Sequence, residues 1–236
     1  EVHFTVDGLQ GGVTLGPRRL LPVSLIAHEA PEAVLPVLEQ QLRVTTPGEY
    51  DARFVRAVPG IEAHGLAERD ADLLGRIGAD VWPLGKVLKS RMEVAALKRL
   101  VERGLVQVAG VTPSDAAHVL GVVSAWNSDA ARMALELFGR RRTGAGVTLA
   151  RDPQVMAQII VDQLTHQTGL ALLETAFAED PQEFGLSPEV LARHVLMQRG
   201  LGRHAGVVRI DAGLNVPVIG LGASAASYYP AVGVLM

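Results

Sequence analysis

The sequence GVTPSDAAHVLG, residues 110–121, carries the densest set of specific signals in the chain. Thr112 is a good helix N-cap because its hydroxyl accepts a backbone N–H that has no partner within the helix. Pro113 suits the first helical position, and Asp115 stands three residues after the cap, where a capping-box acid lies. The stretch therefore predicts a helix that begins at Thr112, and we expect Asp115 to bond back to the Thr112 backbone N–H.

A second helix start follows at Asn127, and its helix is predicted to end at the three arginines 140–142. These arginines suit the negative end of a helix dipole, so a solvated helix end is favoured over a phosphate-binding patch. The predicted inward face is formed by Ala130, Met133, Ala134, Leu137 and Phe138.

These residues also carry a family resemblance. The run at 110–121 resembles the Thr-Pro-Thr-Asp-Ala…Leu-Gly signature of the A-type chain of the hydantoinase/oxoprolinase family, with Ser114 in place of the second threonine. Residues 100–104, LVERG, resemble the family's Leu-Val-x-Arg-Gly helix end, and residues 216–223, VPVIGLGA, resemble its Pro-Val-x-x-Ile-Gly-Ala strand and loop. The three matches occur in the family's order, which favours a true relationship.

Composition excludes several classes of protein. The chain has 236 residues with 48% hydrophobic and 4% aromatic residues, so its core must be built from Ala, Val, Leu and Ile, which suits helices packed on a sheet. The net charge of −3 gives no field that attracts nucleic acid. There is no cysteine, which excludes disulfides, zinc–thiolate sites and cysteine nucleophiles and is compatible with a cytoplasmic location. No apolar run reaches the length of a membrane span.

The rest of the chain predicts alternating strands and helices. His28, which follows the predicted strand at 23–27, is expected to be an ordinary polar residue at a strand end, because the zinc-protease pattern is not completed. The predicted strands are Val2–Val6 paired with Val13–Leu15, Val23–Ala27, Asp51–Val58, Leu105–Ala109, Val207–Ile210 and Val216–Ile219. The predicted helices are Pro31–Leu42, Leu66–Ile77, Arg91–Arg103, Asp152–Ala178 and Ser187–Gln198.

A glycine-rich loop, Gly220 to Ser224, follows the predicted strand Val216–Ile219. Glycine lets a backbone N–H approach a nucleotide closely, although an isolated G-x-G is more often a tight packing turn. The family resemblance implies an actin-, Hsp70- and sugar-kinase-like fold, in which a Gly-Ala loop at this place contacts adenosine. It thereby implies Gly220, Gly222, Ala223 and Ser224 as cofactor-binding residues, whereas Ser224 as a nucleophile has no neighbouring base in the sequence.

Asp115 and His118 are the candidate catalytic residues. Their i, i+3 spacing places them on one helical face, where they could form an acid–base or metal-binding pair. The simpler alternative is that Asp115 only caps the helix and His118 is an ordinary half-buried residue. Trp126 could line a pocket beside them, but a packing anchor between two helices is the more typical role.

The resemblance implies what the whole chain would do. Residues 1–236 are predicted to be an α/β fragment with a mixed sheet and packed helices, most of the C-terminal actin-like half, with a helical part over 60–205 inserted in the α/β core. The family opens cyclic amides such as hydantoins and 5-oxoproline with ATP and Mg²⁺, usually with a B-type subunit or domain. Its phosphate-binding loop, Asp-x-Gly-Gly-Thr-x-Thr-Asp, is expected upstream of Val2, so we expect a piece of a longer protein that is inactive alone. A non-catalytic actin-like binding or assembly module is the alternative, and a homo-oligomer is left open.

Overall fold

The fold was obtained as a computed structural model, and it is described for residues 2–3, 14–15, 20–180, 182, 184–221 and 225–236. The chain divides into two compact units, a first unit of residues 1–160 and a second unit of residues 161–236. The predicted α/β class with a mixed sheet and packed helices is confirmed. The single fragment with a helical part over 60–205 stays a prediction.

The sheet of the first unit has four short strands in the order β3-β6-β4-β5. β3 and β6 are parallel, with Pro22 opposite Gly110, while β4 is antiparallel to both β6 and β5. A separate antiparallel pair, β1 with β2, joins Val2 to Leu15 and His3 to Thr14, as the predicted hairpin requires. The strands are β1 Val2–His3, β2 Thr14–Leu15, β3 Leu20–Pro22, β4 Phe54–Ala57, β5 Trp82–Pro83 and β6 Val106–Gly110.

The helices of the first unit connect and cover these strands. α6 packs against α7, α1 packs against both, and α3 packs against α5. α5 ends at Glu102, and Gly104 shortly after it has a φ of 71°, the left-handed conformation that favours glycine after a helix. The helices are α1 Val23–Glu29, α2 Pro31–Leu42, α3 Glu68–Ile77, α4 Leu84–Val87, α5 Glu93–Glu102, α6 Pro113–Val119, α7 Ser128–Gly139 and α8 Pro153–Glu179, the last of which ends in the second unit.

Small and branched aliphatic side chains fill the core of the first unit, as the low aromatic content requires. One cluster joins α3 and α5 to the sheet through Val55, Leu73, Ile77, Leu100 and Val106, all buried. Each such side chain contributes about 1.5–3 kcal/mol on burial. The buried inward face of α7 includes Ala130, Ala134 and Leu137, so the predicted face is correct at these positions.

The second unit is helical in its described part. Besides most of α8 it contains α9 Pro188–Arg193, α10 Val195–Leu201 and α11 Ala225–Leu235. Leu173, Ala192 and Leu201 form its buried cluster. The single helix predicted over Ser187–Gln198 is wrong, because His194 has extended dihedral angles (φ −61°, ψ 139°) that divide it into α9 and α10.

The strand predicted at Val23–Ala27 is also wrong, since these residues form most of α1. The strand of this region is β3, which ends at Pro22, and His28 lies in the last turn of α1 rather than at a strand end. An apolar run of five residues has no periodicity that separates a strand from a buried helix. The helix forms because the side chain of a residue distant in the sequence caps its N-terminus.

The two strands predicted near the C-terminus are not formed. Residues 207–210 and 216–219 are all described, and apart from an isolated bridge between Ala205 and Arg209 they lack strand pairing. Val207, Val216 and Ile219 are exposed. Branched side chains favour extended backbone locally, but a strand also needs a neighbour to accept its hydrogen bonds.

Candidate functional site

The candidate site lies where two parallel strands end side by side. β3 ends at Pro22 and leads directly into α1, while β6 ends at Gly110 and leads into α6. Both helices therefore begin at the same edge of the sheet. This carboxyl edge is where α/β proteins commonly bind ligands, because strand ends and helix N-termini meet there.

Asp115 occupies this edge with its own carboxylate. Thr112 and Asp115 form the predicted capping box, in which the Thr112 N–H donates to Asp115 Oδ2 at 2.8 Å and the Thr112 hydroxyl accepts from Asp115 N–H. The same carboxylate also reaches α1, where it accepts from the backbone N–H groups of Val23 at 3.2 Å and Ser24 at 2.7 Å and from the Ser24 hydroxyl at 2.6 Å. One aspartate thus caps two helices that lie about ninety residues apart in the sequence.

Burial and hydrogen bonding act on the pKa of Asp115 in opposite directions. Its side chain is buried, and burial raises the pKa of the carboxyl, while the hydrogen bonds from Ser24 and Thr112 act in the opposite direction. The backbone donors at Val23, Ser24 and Thr112 can only donate, so they match a carboxylate at the positive ends of two helices. The contacts support a structural role for Asp115.

His118 is held in one tautomer by its neighbours. Nδ1 lies 2.7 Å from the Ser114 carbonyl oxygen, which can only accept, so Nδ1 carries the hydrogen. Nε2 lies 3.0 Å from the Trp126 backbone nitrogen, whose N–H donates to it. The Trp126 ring stacks on the imidazole with centroids 5.3 Å apart. Trp126 therefore makes the packing contact that its sequence position suggested.

Asp115 and His118 share a helix but not their partners. The carboxylate bonds to residues 23, 24 and 112, whereas the imidazole bonds to residues 114 and 126. In the described part of the chain, no group of three His, Asp or Glu side chains could hold a metal ion. A catalytic role for Asp115 or His118 stays a prediction, and their contacts favour the simpler structural reading.

The glycine loop lies only partly in the described residues. Gly222, Ala223 and Ser224 fall outside them, and Gly220 follows an exposed segment rather than the strand that the sequence predicted. A side-chain Cβ at Gly220 would overlap the ring of Tyr229 in α11, so this glycine permits a close approach of the loop to that ring. A nucleotide contact at Gly220, Gly222, Ala223 and Ser224 stays a prediction.

Sequence reasoning missed Ser24, which contributes two of the hydrogen bonds to Asp115. It missed this residue because it assigned residues 23–27 to a strand. The available signal was Pro22, a residue that ends strand pairing by lacking an N–H and cannot cap a helix with its own side chain. A helix that begins after such a residue needs a cap from elsewhere.

Two of the three arginines at the end of α7, Arg140 and Arg141, contact other segments of the first unit. Arg140 donates to the Leu42 and Val44 carbonyl oxygens at 2.8 and 3.0 Å and pairs with Glu136 at 2.7 Å. Arg141 lies over the Phe138 ring, 4.7 Å from its centroid. These contacts support a helix end tied to α2 rather than a phosphate patch.

Comparison with protein-family models, curated proteins and solved structures found no match. The resemblance to the hydantoinase/oxoprolinase family therefore rests on the sequence signatures. None of the helices in the described part of the chain combines the length and the apolar character that a membrane span requires.

Proposed function

We propose that this chain is part of an ATP-dependent cyclic-amide hydrolase of the hydantoinase/oxoprolinase type, within the actin-like half of its A-type chain. The observation that carries the proposal is that Gly110, Thr112 and Asp115 of the signature are buried and depend on one another at one strand–helix junction. A short sequence match gains weight when its residues depend on each other physically.

Successive residues of the signature each make a contact that the junction of β6 and α6 needs. Gly110 allows β6 to approach β3, since a Cβ there would lie 3.2 Å from Leu20 Cδ2. Thr112 caps α6, Pro113 occupies its first position, and Asp115 joins α6 to α1. The spacing Gly-x-Thr-Pro-x-Asp is therefore the one that this strand–helix junction requires.

The proposed chemistry is ring opening driven by phosphoryl transfer. Phosphorylation of the amide oxygen would make the ring bond labile to water, and Mg²⁺ would neutralise the phosphate charge. Because the described residues contain no acidic cluster for a metal, Mg²⁺ would arrive bound to the nucleotide phosphates. Gly220, Gly222, Ala223 and Ser224 would present backbone and small side chains to the adenosine.

A B-type subunit or domain would be the protein partner, and a hydantoin or 5-oxoproline ring the substrate class. The second candidate is a non-catalytic actin-like binding or assembly module. It is favoured by the contact of Gly220 with Tyr229, because a loop that serves only as a packing turn needs glycine for the same steric reason.

The test is a reconstitution assay on the full-length protein combined with a B-type hydantoinase subunit. We expect ring opening of hydantoin or 5-oxoproline only when ATP and Mg²⁺ are both present, with ADP and phosphate formed in step with opened ring. ATP binding without turnover of any cyclic amide would favour the non-catalytic module. If the protein shows no ATP binding and no ring opening, the proposal is refuted.

A further inference from the structure

The bonding of His118 leaves no position for a second proton. Nδ1 already donates to the Ser114 carbonyl, and the lone pair of Nε2 accepts from the Trp126 N–H. The imidazole must therefore be neutral in the folded chain, because a proton on Nε2 would set two N–H donors against each other. His118 is only 4% exposed, so little water is available to solvate a charged ring.

The bond to Trp126 is one of the contacts that fix the connection between α6 and α7, beside the backbone N–H groups of residues 121–123, which donate to the His118 and Ala117 carbonyl oxygens. Residues 121–127 form this connection, and at its end Asn127 caps α7 by accepting from the Ala130 N–H at 2.9 Å. The Asn127 N–H donates in turn to the Ser24 carbonyl oxygen at 3.3 Å. Trp126 therefore directly precedes the residue that contacts both the start of α7 and α1.

We propose that His118 is an acid-sensitive latch on this connection. Protonation of Nε2 breaks the bond from Trp126, unstacks the two rings and releases the Trp126 end of the connection, while the backbone bonds from residues 121–123 to α6 remain. The latch is closed while the imidazole accepts the Trp126 N–H, and it opens when acid places a proton on Nε2.

The neighbouring carboxylates are already engaged with other partners and so do not stabilise a charged imidazole at this place. Besides Asp115 on α6 itself, the ionisable groups on the helices packed against α6 are His28 and Glu29 of α1 and Asp129, Arg132 and Glu136 of α7. The four carboxylates pair as follows: Asp115 with Ser24 and Thr112, Glu29 with Arg56, Asp129 with Arg132, and Glu136 with Arg140.

The test follows Trp126 directly. The chain has two tryptophans, so Trp82→Phe leaves Trp126 as the only tryptophan, which can be excited beyond the absorption band of the tyrosines. Between pH 7.5 and 5.5 we expect a change in Trp126 emission and, after correction for the intrinsic exchange rate, a loss of hydrogen-exchange protection of about tenfold at the Trp126 amide. The uptake of one proton shifts an equilibrium by up to tenfold per pH unit.

The matched variants are His118→Gln and His64→Gln. Glutamine can still donate and accept but takes up no proton, so His118→Gln should abolish the pH response, whereas His64, whose side chain is 83% exposed, should be replaceable with no effect. An equal response in wild type and His118→Gln would overturn the latch.

A measurement on the wild type decides the case even if His118→Gln does not fold. ¹⁵N chemical shifts of the His118 ring at pH 7.5 report which nitrogen carries the hydrogen. The latch requires the Nδ1–H tautomer, and either the Nε2–H tautomer or a charged ring at that pH would refute it.

Discussion

Asp115→Asn is the substitution that most directly probes the junction of α1 and α6. It replaces one of the two buried carboxylate oxygens with an NH₂ donor and removes the negative charge. The five hydrogen bonds of the carboxylate come from Val23, Ser24 and Thr112, three of them from backbone N–H groups. The asparagine amide can therefore satisfy only part of this set.

The cost follows from the better of two amide orientations. With the amide nitrogen facing Ser24, the hydroxyl can turn to accept, but the Ser24 N–H at 2.7 Å loses its acceptor. With the nitrogen on the other side, both Val23 and Thr112 lose theirs. One unpartnered buried N–H plus the lost charge at two helix N-termini costs about 2–3 kcal/mol. Asp115→Ala leaves three backbone N–H groups unpartnered and should cost at least about 3 kcal/mol.

Urea denaturation measures these free energies of unfolding. The control is Asp129→Asn, which changes an acid in the first turn of α7 whose side chain is 83% exposed, and it should change stability by less than about 0.5 kcal/mol. A double-mutant cycle of Asp115→Asn with Ser24→Ala should give a coupling energy of about 0.5–3 kcal/mol. If Asp115→Asn costs no more than the control, the shared-cap reasoning is wrong.

Three further predictions concern the cap, an ion pair and catalytic competence. Thr112→Ala should lower the free energy of unfolding by roughly 1 kcal/mol, measured in urea, because the cap acceptor is lost; an unchanged value would contradict the capping box. The hydrogen bond from Arg99 holds the pKa of Asp70 below its usual value of 3.8, so this pair stabilises the chain above about pH 4 and the stabilisation is lost as the pH falls through the lowered pKa. Asp70→Asn should therefore flatten the acid side of a stability–pH curve, and an unaltered curve would exclude the pair as its source. The chain of residues 1–236 should not hydrolyse ATP in a phosphate-release assay, since the family's Asp-x-Gly-Gly-Thr-x-Thr-Asp loop does not occur in its sequence, and metal-dependent turnover would show that the phosphate site was misassigned.

Local signals predicted the helix starts of this fold well. The capping box at Thr112 and the N-cap at Asn127 both form as the sequence indicates, because the atoms that satisfy the first backbone N–H groups lie within three residues. The strand β6 and the long helix α8 were also predicted close to their observed bounds.

Interactions distant in the sequence account for the errors. Residues 23–27 are helical because Asp115, more than eighty residues later, supplies the cap that Pro22 lacks. Val216, Val218 and Ile219 have strand-forming side chains, but residues 216–219 have no pairing neighbour in the described part of the chain. The same limit applies to the site: the spacing of Asp115 and His118 suggested a pair, but their partners lie on other segments.

The assignment of an adenosine-binding loop is tested most directly by nucleotide affinity. The measurement is the Kd for ATP of the full-length protein, by calorimetry, for wild type and Gly222→Val, with thermal stability measured beside it. The matched control is Gly144→Val, because Gly144 has open space around it and no positive φ. We predict that Gly222→Val weakens ATP binding at least tenfold while the protein stays folded, whereas Gly144→Val binds like wild type. An unchanged ATP affinity in a folded Gly222→Val protein would contradict the nucleotide assignment and leave the loop as a packing turn.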